Sequence, residues 1–137
     1  MDVICIRNDG VALGLNLSKA YLLAPYKVLE KVCNGIGPAW FPDWVRDKVT
    51  DYFEYFLPST NQHDFDFEFL FKSNFNFKLA NDRLCKNMLI QIGKDTNLSY
   101  WSFSKSTSKW RKKLQARFLY KMCVKYGEDA FFTEGIK

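Results

Sequence analysis

The strongest structural constraint in this sequence is a row of apolar residues at every fourth position from Trp110 to Tyr126. Two further apolar residues, Leu119 and Cys123, lie beside this row, and Gly127 follows it. Because residues three and four apart share one face of an α-helix, this spacing predicts a long amphipathic helix over residues 105–126 that ends at Gly127. The residues expected to face the core are Trp110, Leu114, Phe118, Met122 and Tyr126.

Similar spacing predicts helices through much of the remaining chain. The expected fold is mainly α, a small single-domain bundle of about five helices over residues 1–137. Residues 1–16 stay unassigned, although Asn8-Asp9-Gly10 is typical of a turn and is compatible with two short strands. The expected helices are 17–32, which Ser18 would cap and Pro25 would kink or divide, 43–56, and 78–92, which Gly93 would close.

Residues 63–71 have two possible structures. Four phenylalanines, Phe65, Phe67, Phe69 and Phe71, alternate with mostly polar residues. By periodicity alone this pattern indicates a half-buried strand. The alternative is a helix so deeply buried that aromatic residues surround it.

Positive charge is concentrated in the carboxyl-terminal region. The chain has a net charge of +5, yet residues 97–127 contain eight bases and no acid. One interpretation is a solvated helix face opposite the core. The functional alternatives are docking on an anionic phospholipid surface, or binding a nucleic acid or an acidic groove of a protein. The residues predicted for partner or membrane binding are Lys105, Lys109, Lys112, Lys113, Arg117, Lys121 and Trp101.

Composition and spacing argue against several classes of protein. No apolar run approaches the roughly 20 residues of a membrane span. The amino terminus has acids where a secretory signal peptide has bases. The four cysteines are scattered and the chain has one histidine, which argues against a zinc site of the usual spacing. We therefore expect a cytoplasmic protein with reduced thiols.

The single histidine, His63, is followed by Asp64. Alone, such a pair is more often structural than catalytic. Here the alternate glycines Gly35 and Gly37 precede it, and they allow backbone carbonyls to turn toward a cation. Asp82 follows it on a predicted helix. A glycine loop, a His-Asp pair and a later helical Asp, in this order, are the parts of a calcium-assisted hydrolase. In such a site Asp64 and the loop carbonyls would hold Ca²⁺, His63 would activate a water and Asp82 would orient the imidazole.

At these residues the chain resembles the phospholipase A2 family, especially its compact bacterial and phage-encoded branch. That branch has the stretches Asn-Gly-x-Gly-Pro-x-Trp-x-Pro, His-Asp-x-x-Tyr and Asp-x-x-Phe-x-x-x-Met. The similar stretches here are residues 34–42, 63–67 and 82–88. The resemblance covers about residues 33–131, which is most of the chain.

The resemblance implies a calcium-dependent esterase that acts on phospholipids. In this fold the His and its Asp partner lie on two antiparallel, packed central helices, which favours a helix over residues 63–71. Ca²⁺ would polarise the ester carbonyl and stabilise the oxyanion. The implied roles are general base for His63, hydrogen-bond partner for Asp82, and calcium binding for Asp64 and the carbonyls near Cys33, Gly35 and Gly37.

The chain also departs from the family pattern. Phe67 replaces a Tyr whose hydroxyl would steady the Asp, Thr60 replaces a cysteine, and Cys85 replaces an aromatic residue. The usual disulfides cannot form, so the 24 aromatic residues would have to fill the core instead. The departures raise a second hypothesis. In it, a non-catalytic phage protein of the same fold inhibits a host protein or nucleic-acid-handling complex in the host cytoplasm, through its basic last helix.

Overall fold

The computed structural model describes residues 2–33, 39–104 and 106–133. Within these ranges the regular structure is helical apart from one isolated bridge between Ser99 and Ser108. A mainly α fold is thus confirmed, with more helices than the five expected. The helices are α1 (Val3–Leu13), α2 (Lys19–Leu23), α3 (Tyr26–Val32), α4 (Asp43–Phe53) with a 3-10 turn (Glu54–Phe56), α5 (Leu57–Phe69), α6 (Asn74–Lys94), α7 (Lys109–Tyr126) and α8 (Glu128–Thr133).

The amino-terminal segment is a helix, so the suggested pair of strands is wrong. Asp2 caps α1, and its carboxylate accepts a hydrogen bond from the backbone N–H of Ile4 at 2.8 Å. Gly10 lies inside the helix rather than in a turn, where a Cβ would fall 3.3 Å from the side chain of Leu17. The helix ends at Gly14, whose positive φ of 73° favours glycine.

Ser18 and Pro25 act as the sequence predicts. The hydroxyl of Ser18 accepts a hydrogen bond from the backbone N–H of Tyr21 at 3.1 Å, which caps α2. Pro25 stands between α2 and α3 as the N-cap of α3. Because a proline lacks the N–H that a continuous helix requires, residues 17–32 form two helices.

Helix α5 is the central element and is buried on nearly all sides. It contacts α1, α3, α6 and α8. The helical alternative for residues 63–71 is therefore confirmed as far as Phe69. Phe65 and Phe67 are buried, whereas Phe69 and Phe71 are exposed where the helix ends and the chain turns.

Helix α6 packs between α5 and α7 and is longer than predicted. The Ser73 hydroxyl accepts a hydrogen bond from the backbone N–H of Asn76 at 3.1 Å, so the helix begins at Asn74 rather than at residue 78. Gly93 lies in its last turn instead of closing it.

Hydrogen bonds between α5 and α6 pair their residues in opposite order. Ser59, early in α5, donates to Gln91, late in α6, at 2.9 Å. Asp66, late in α5, accepts from Arg83, nearer the start of α6, at 3.0 Å.

Helix α7 packs only the later part of the predicted row, Phe118, Met122 and Tyr126, against the core. Trp110 and Leu114 are exposed. Residues four apart drift by about 40° per step around a helix of 3.6 residues per turn, so such a row cannot stay on one face. The helix also starts at Lys109 rather than at residue 105, because Ser108 caps it. Its buried residues follow intervals of four and three: Lys112, Ala116, Leu119 and Cys123.

The burial of Lys112 corrects its assignment to the partner-binding row. Lys112 is 6% exposed, and its ammonium lies 4.2 Å from the centroid of the Tyr55 ring. Burial lowers the pKa of Lys112, and the Asp95 carboxylate opposes that shift. The Tyr55 hydroxyl donates to Asp95 at 2.8 Å. Lys112 therefore joins α7 to the interior of the bundle.

The four cysteines all lie in the described ranges, and none of them forms a disulfide. Aromatic rings fill much of the interior. Tyr21, Phe56 and Phe131 are among its largest fully buried side chains. No helix in the described part of the chain has the length and apolar character needed to cross a membrane.

Candidate functional site

His63 on α5 and Asn81 on α6 form a buried pair. Nε2 of the imidazole lies 2.8 Å from Oδ1 of Asn81, and His63 is 3% exposed. The ring of Phe67, one turn further along α5, packs against the imidazole with centroids 4.2 Å apart. Because an amide oxygen can only accept a hydrogen bond, Nε2 carries the proton and Nδ1 of the neutral ring keeps its lone pair.

The surroundings of His63 keep its ring neutral. Burial lowers the pKa of His63 to about 4, and the hydrogen bond to Asn81 opposes that shift without reversing it. A neutral imidazole can take up a proton, as a general base must. A carboxylate in place of Asn81 would stabilise the protonated ring, which an amide does not do.

Asp82 was predicted to orient His63, but the structure gives that position to Asn81. The Asp82 carboxylate forms an ion pair with Lys78, one turn earlier on α6. It also accepts a hydrogen bond from the Tyr120 hydroxyl on α7 at 3.2 Å. Successive residues of a helix point about 100° apart, so Asn81 and Asp82 cannot both face α5.

The family spacing Asp-x-x-Phe-x-x-x-Met agrees with this placement. Counting seven residues back from Met88 gives Asn81, and Leu84 then stands at the aromatic position. Met88 and Leu84 are both buried in the core. The spacing to Met88 was thus the signal that could have found Asn81, whereas the prediction followed the carboxylate of Asp82.

Two residues predicted to bind calcium, Asp64 and Cys33, interact electrostatically. Burial raises the pKa of the Cys33 thiol, and the Asp64 carboxylate raises it further. The Cys33 thiol also donates to the carbonyl of Asn61 at 3.3 Å, which holds the end of α3 against α5. Gly35 and Gly37, the other predicted ligands, lie outside the described residues.

The predicted donors suit calcium in their chemistry. Ca²⁺ takes oxygen ligands, chiefly carboxylates and backbone carbonyls. Asp64 supplies a carboxylate within electrostatic reach of Cys33, where the predicted carbonyl loop begins. In the described part of the chain no three His, Cys, Asp or Glu side chains form a metal-binding group. That finding concerns side-chain ligands and not carbonyl oxygens.

Aromatic rings enclose one side of the His63 imidazole. Phe67 stacks on Trp40 with centroids 5.8 Å apart and meets Phe131 of α8 edge-on at 5.3 Å. Gly127 lies against the same ring, since a Cβ there would fall 3.2 Å from it. Trp40 also lines an open groove of about 690 Å³ beside the corner between α7 and α8. Phe67 therefore packs between His63 and the wall of this groove.

A buried polar network lies on another side of α5, and sequence reasoning missed it. Arg83 donates to both oxygens of Asp66 at 3.0 and 3.1 Å. Gln62 donates to Asp66 at 2.9 Å and to the Ser18 hydroxyl at 3.2 Å. Burial raises the pKa of Asp66 to about 6, although Arg83 and Gln62 act to lower it. The signal was the run of polar residues over 59–63 in the middle of a buried helix.

The predicted basic surface is organised around Tyr100. Lys113 donates to the Tyr100 hydroxyl at 2.6 Å, and this bond lowers the pKa of Tyr100. The ammonium groups of Lys109 and Lys113 lie 5.2 and 5.1 Å from the centroid of the Tyr100 ring. Trp101 beside it is 90% exposed. We name this surface the basic platform, made of Tyr100, Trp101, Lys109 and Lys113 with the exposed Arg117 one turn further along α7. Lys121 is turned about 120° away from Lys109 around the helix.

The loop that carries Trp101 is closed at its base by main-chain hydrogen bonds. The N–H of Ser99 donates to the carbonyl of Thr107 at 2.8 Å, and the N–H of Lys109 donates to the carbonyl of Ser99 at 3.0 Å. Of the other predicted bases, Lys105 lies outside the described residues and Lys112 is buried.

No protein-family model, curated protein or solved structure matches this chain. A functional conclusion therefore rests on the geometry of the His63 pair and of the basic platform.

Proposed function

We propose that this protein is a phospholipase A2-like esterase that hydrolyses a phospholipid ester with the assistance of Ca²⁺. The observation that carries the proposal is the neutral His63 imidazole, whose Nε2 is held by Asn81 and whose Nδ1 keeps its lone pair. The opposite order of the hydrogen bonds between α5 and α6 supports the antiparallel central pair that the family resemblance implies.

In the proposed reaction, Nδ1 of His63 takes a proton from a water molecule as that water attacks the ester carbonyl carbon. Asn81 keeps the imidazole in the required tautomer. The imidazolium then returns the proton to the departing alcohol. Asp64 and the carbonyls near Cys33, Gly35 and Gly37 would hold Ca²⁺, which when bound polarises the ester carbonyl and stabilises the oxyanion.

Asn81 makes His63 a weaker base than a carboxylate partner would. An opposite charge within hydrogen-bond distance shifts a pKa by roughly 1–3 units. We therefore expect Asn81→Asp to raise the pKa of His63 and to increase the rate of hydrolysis. Because His63 is the only histidine, its ring signals in an NMR titration would report this pKa without assignment ambiguity.

Calcium-dependent release of fatty acid from phospholipid vesicles tests the proposal. The wild-type protein should release fatty acid with Ca²⁺ and not with a chelator, and His63→Ala should abolish the release. Asp82→Asn is the matched control, because Asp82 contacts Lys78 and Tyr120 and should leave activity unchanged. A wild-type protein that releases no fatty acid, or an H63A protein that remains active, would show the proposal to be wrong.

A second candidate function is inhibition of a host protein or nucleic-acid-handling complex, in the cytoplasm of a phage-infected cell. Two observations favour it. Asn81 contacts His63 where the resemblance implies a carboxylate partner, and the basic platform lies on α7 and its preceding loop, apart from the His63 pair. A surface with many bases attracts the phosphates of nucleic acids or an acidic protein.

Reversal of charge separates this candidate from the first. Changing Lys109, Lys113 and Arg117 to Glu should abolish binding to a labelled single-stranded oligonucleotide or to the purified host complex, while fatty-acid release from uncharged micelles persists. The matched control makes the same change in net charge at Lys19, Lys27 and Lys31, which are exposed on α2 and α3. Equal losses of binding in the two triple variants would contradict a specific platform.

A further inference from the structure

The turn between α5 and α6 carries three exposed phenylalanines that the proposed reaction does not use. Phe71 and Phe75 are 80% and 76% exposed, and Phe69 is about half exposed. Single exposed apolar residues are common, but a cluster of large rings marks a surface that meets an apolar partner. We name Phe69, Phe71 and Phe75 the phenylalanine turn.

The exposure of these rings follows from an anchored backbone. The side-chain amide of Asn76 donates to the carbonyl of Phe71 at 2.9 Å. The Lys72 ammonium donates to the carbonyl of Phe67 and lies 4.4 Å from the centroid of the Phe131 ring. The segment between the two helices is thus held from both sides, while Phe71 and Phe75 are exposed and Phe69 packs partly against Phe65.

Helix α6 separates the phenylalanine turn from the basic platform. The turn meets the start of α6, the loop with Trp101 follows its end, and its 21 residues span about 30 Å. Asn81, the partner of His63, lies about 10 Å along the axis from the start of α6 and about 20 Å from its end. The His63 pair is therefore nearer to the phenylalanine turn.

The groove lined by Trp40 lies at this same end of the bundle. Phe131 of α8, which the Lys72 ammonium contacts, also packs against Phe67 beside His63. Ala130 and Thr133 of α8 line the groove. A candidate base, an open groove and an exposed apolar turn are thus gathered at one end.

We propose that the phenylalanine turn is the surface by which this protein inserts into a phospholipid membrane. The choice of lipid rests on the proposed esterase function, whose substrate resides in a bilayer. The position of the turn supports that choice, because it lies at the end of the bundle that holds the His63 pair and the groove lined by Trp40. Insertion of these rings does not depend on charge, since Lys78 near Phe75 is paired with Asp82 and the surplus of bases lies in residues 97–127.

Sedimentation with vesicles of ether-linked lipids tests the proposal independently of catalysis, since these lipids contain no ester to cleave. The vesicles are ether-linked phosphatidylcholine, alone and mixed equally with ether-linked phosphatidylglycerol. We expect Phe71→Ser with Phe75→Ser to weaken binding about tenfold or more, at low and at high salt. The matched control, Trp101→Ser with Phe103→Ser, removes two exposed rings at the opposite end of α6 and should change binding less than twofold.

The other outcomes contradict the proposal. Greater loss in the W101S/F103S variant would place the membrane surface on the basic platform. If the wild-type protein without vesicles is a dimer in analytical ultracentrifugation and the F71S/F75S variant is a monomer, the surface that covers these rings is a second copy of the chain.

Hydrogen exchange of the wild-type protein tests the proposal without a variant. Added vesicles should slow the exchange of the backbone amides of residues 69–76 and leave those of residues 99–104 unchanged. Hydrolysis of a soluble short-chain ester that persists in F71S/F75S separates a failure of docking from a failure of the esterase proposal.

Discussion

Helices α5 and α7 are both rich in polar residues, but the fold treats these residues in opposite ways. Several buried polar side chains of α5 are bonded to groups on other helices, as Asp66 is to Arg83 and His63 is to Asn81, whereas the buried amide of Asn61 has no hydrogen-bond partner among the described residues. The bases of α7 mostly face outward, with Lys112 as the buried exception. A buried polar group without a hydrogen-bond partner is costly. The polar residues of α5 are therefore constrained by their partners on other helices, whereas those of α7 are constrained mainly by exposure to solvent.

The largest difference between these regions should appear when a partner is removed. Arg83→Met leaves the buried Asp66 carboxylate without its ion pair, and we expect a loss of roughly 3–5 kcal/mol in the free energy of unfolding. Arg117→Met on the exposed face of α7 should change it by less than about 0.5 kcal/mol. Urea denaturation measures both. Equal effects would mean that the two helices do not differ in this way.

The pH dependence of stability sharpens the comparison within α5. The pKa of His63 is lowered to about 4, so its contribution is present above pH 6.5 and is lost as pH falls through about 4. The pKa of Asp66 is raised to about 6, so its contribution is present below about pH 4 and is lost as pH rises through about 6. Each amounts to about 3 kcal/mol, and the two oppose each other between pH 4 and pH 6.

Variants of each residue should separate these two contributions. Asp66→Asn leaves the His63 contribution, so stability should rise with pH over this interval. His63→Gln leaves the Asp66 contribution, so stability should fall. Thermal denaturation at intermediate pH values provides the measurement, and slopes of the same sign in the two variants would refute the assignment.

Alanine substitutions at two glycines compare the tightness of packing beside Phe67 with that in the last turn of α6. Gly127→Ala would place a Cβ 2.4 Å from the Cys123 carbonyl oxygen and 3.2 Å from the Phe67 ring, which should cost about 1–3 kcal/mol of stability. A Cβ at Gly93, in the last turn of α6, meets no atom within 4 Å. Gly93→Ala should therefore stabilise the protein by about 0.5–1 kcal/mol. Melting temperatures that move in the same direction would contradict this view of the two sites.

The smallest expected difference between two paired variants concerns Lys112, the buried base of α7. Lys112→Ala removes an aliphatic stem from the core and an ammonium from the Tyr55 ring, and should destabilise the protein by about 1–2 kcal/mol. Lys113→Ala, one position along, should change stability by less than about 0.5 kcal/mol. The free energies of unfolding of the two variants, measured by denaturation in guanidinium chloride, show which of these lysines contributes to the interior.

Sequence patterns predicted what local geometry determines and missed what distant partners determine. Ser18, Pro25 and the helical character of α6 follow from capping and backbone rules, and these predictions were confirmed. Residue type could not predict that Asn81 and not Asp82 contacts His63. The two side chains point about 100° apart around α6, and only one of them can face α5. The predicted core face of α7 was wrong at Trp110 and Leu114 for a related reason, since a strict interval of four drifts around the helix.

The closed base of the Trp101 loop has an evolutionary consequence. Its ends are fixed by main-chain bonds between Ser99, Thr107 and Lys109, which do not depend on the side chains at its tip. We therefore expect substitutions at residues 100–104 to leave the bundle intact, and substitutions of the paired residues of α5 to need matching changes on α6. The side chains at the tip of this loop can therefore change faster in evolution than the paired interior.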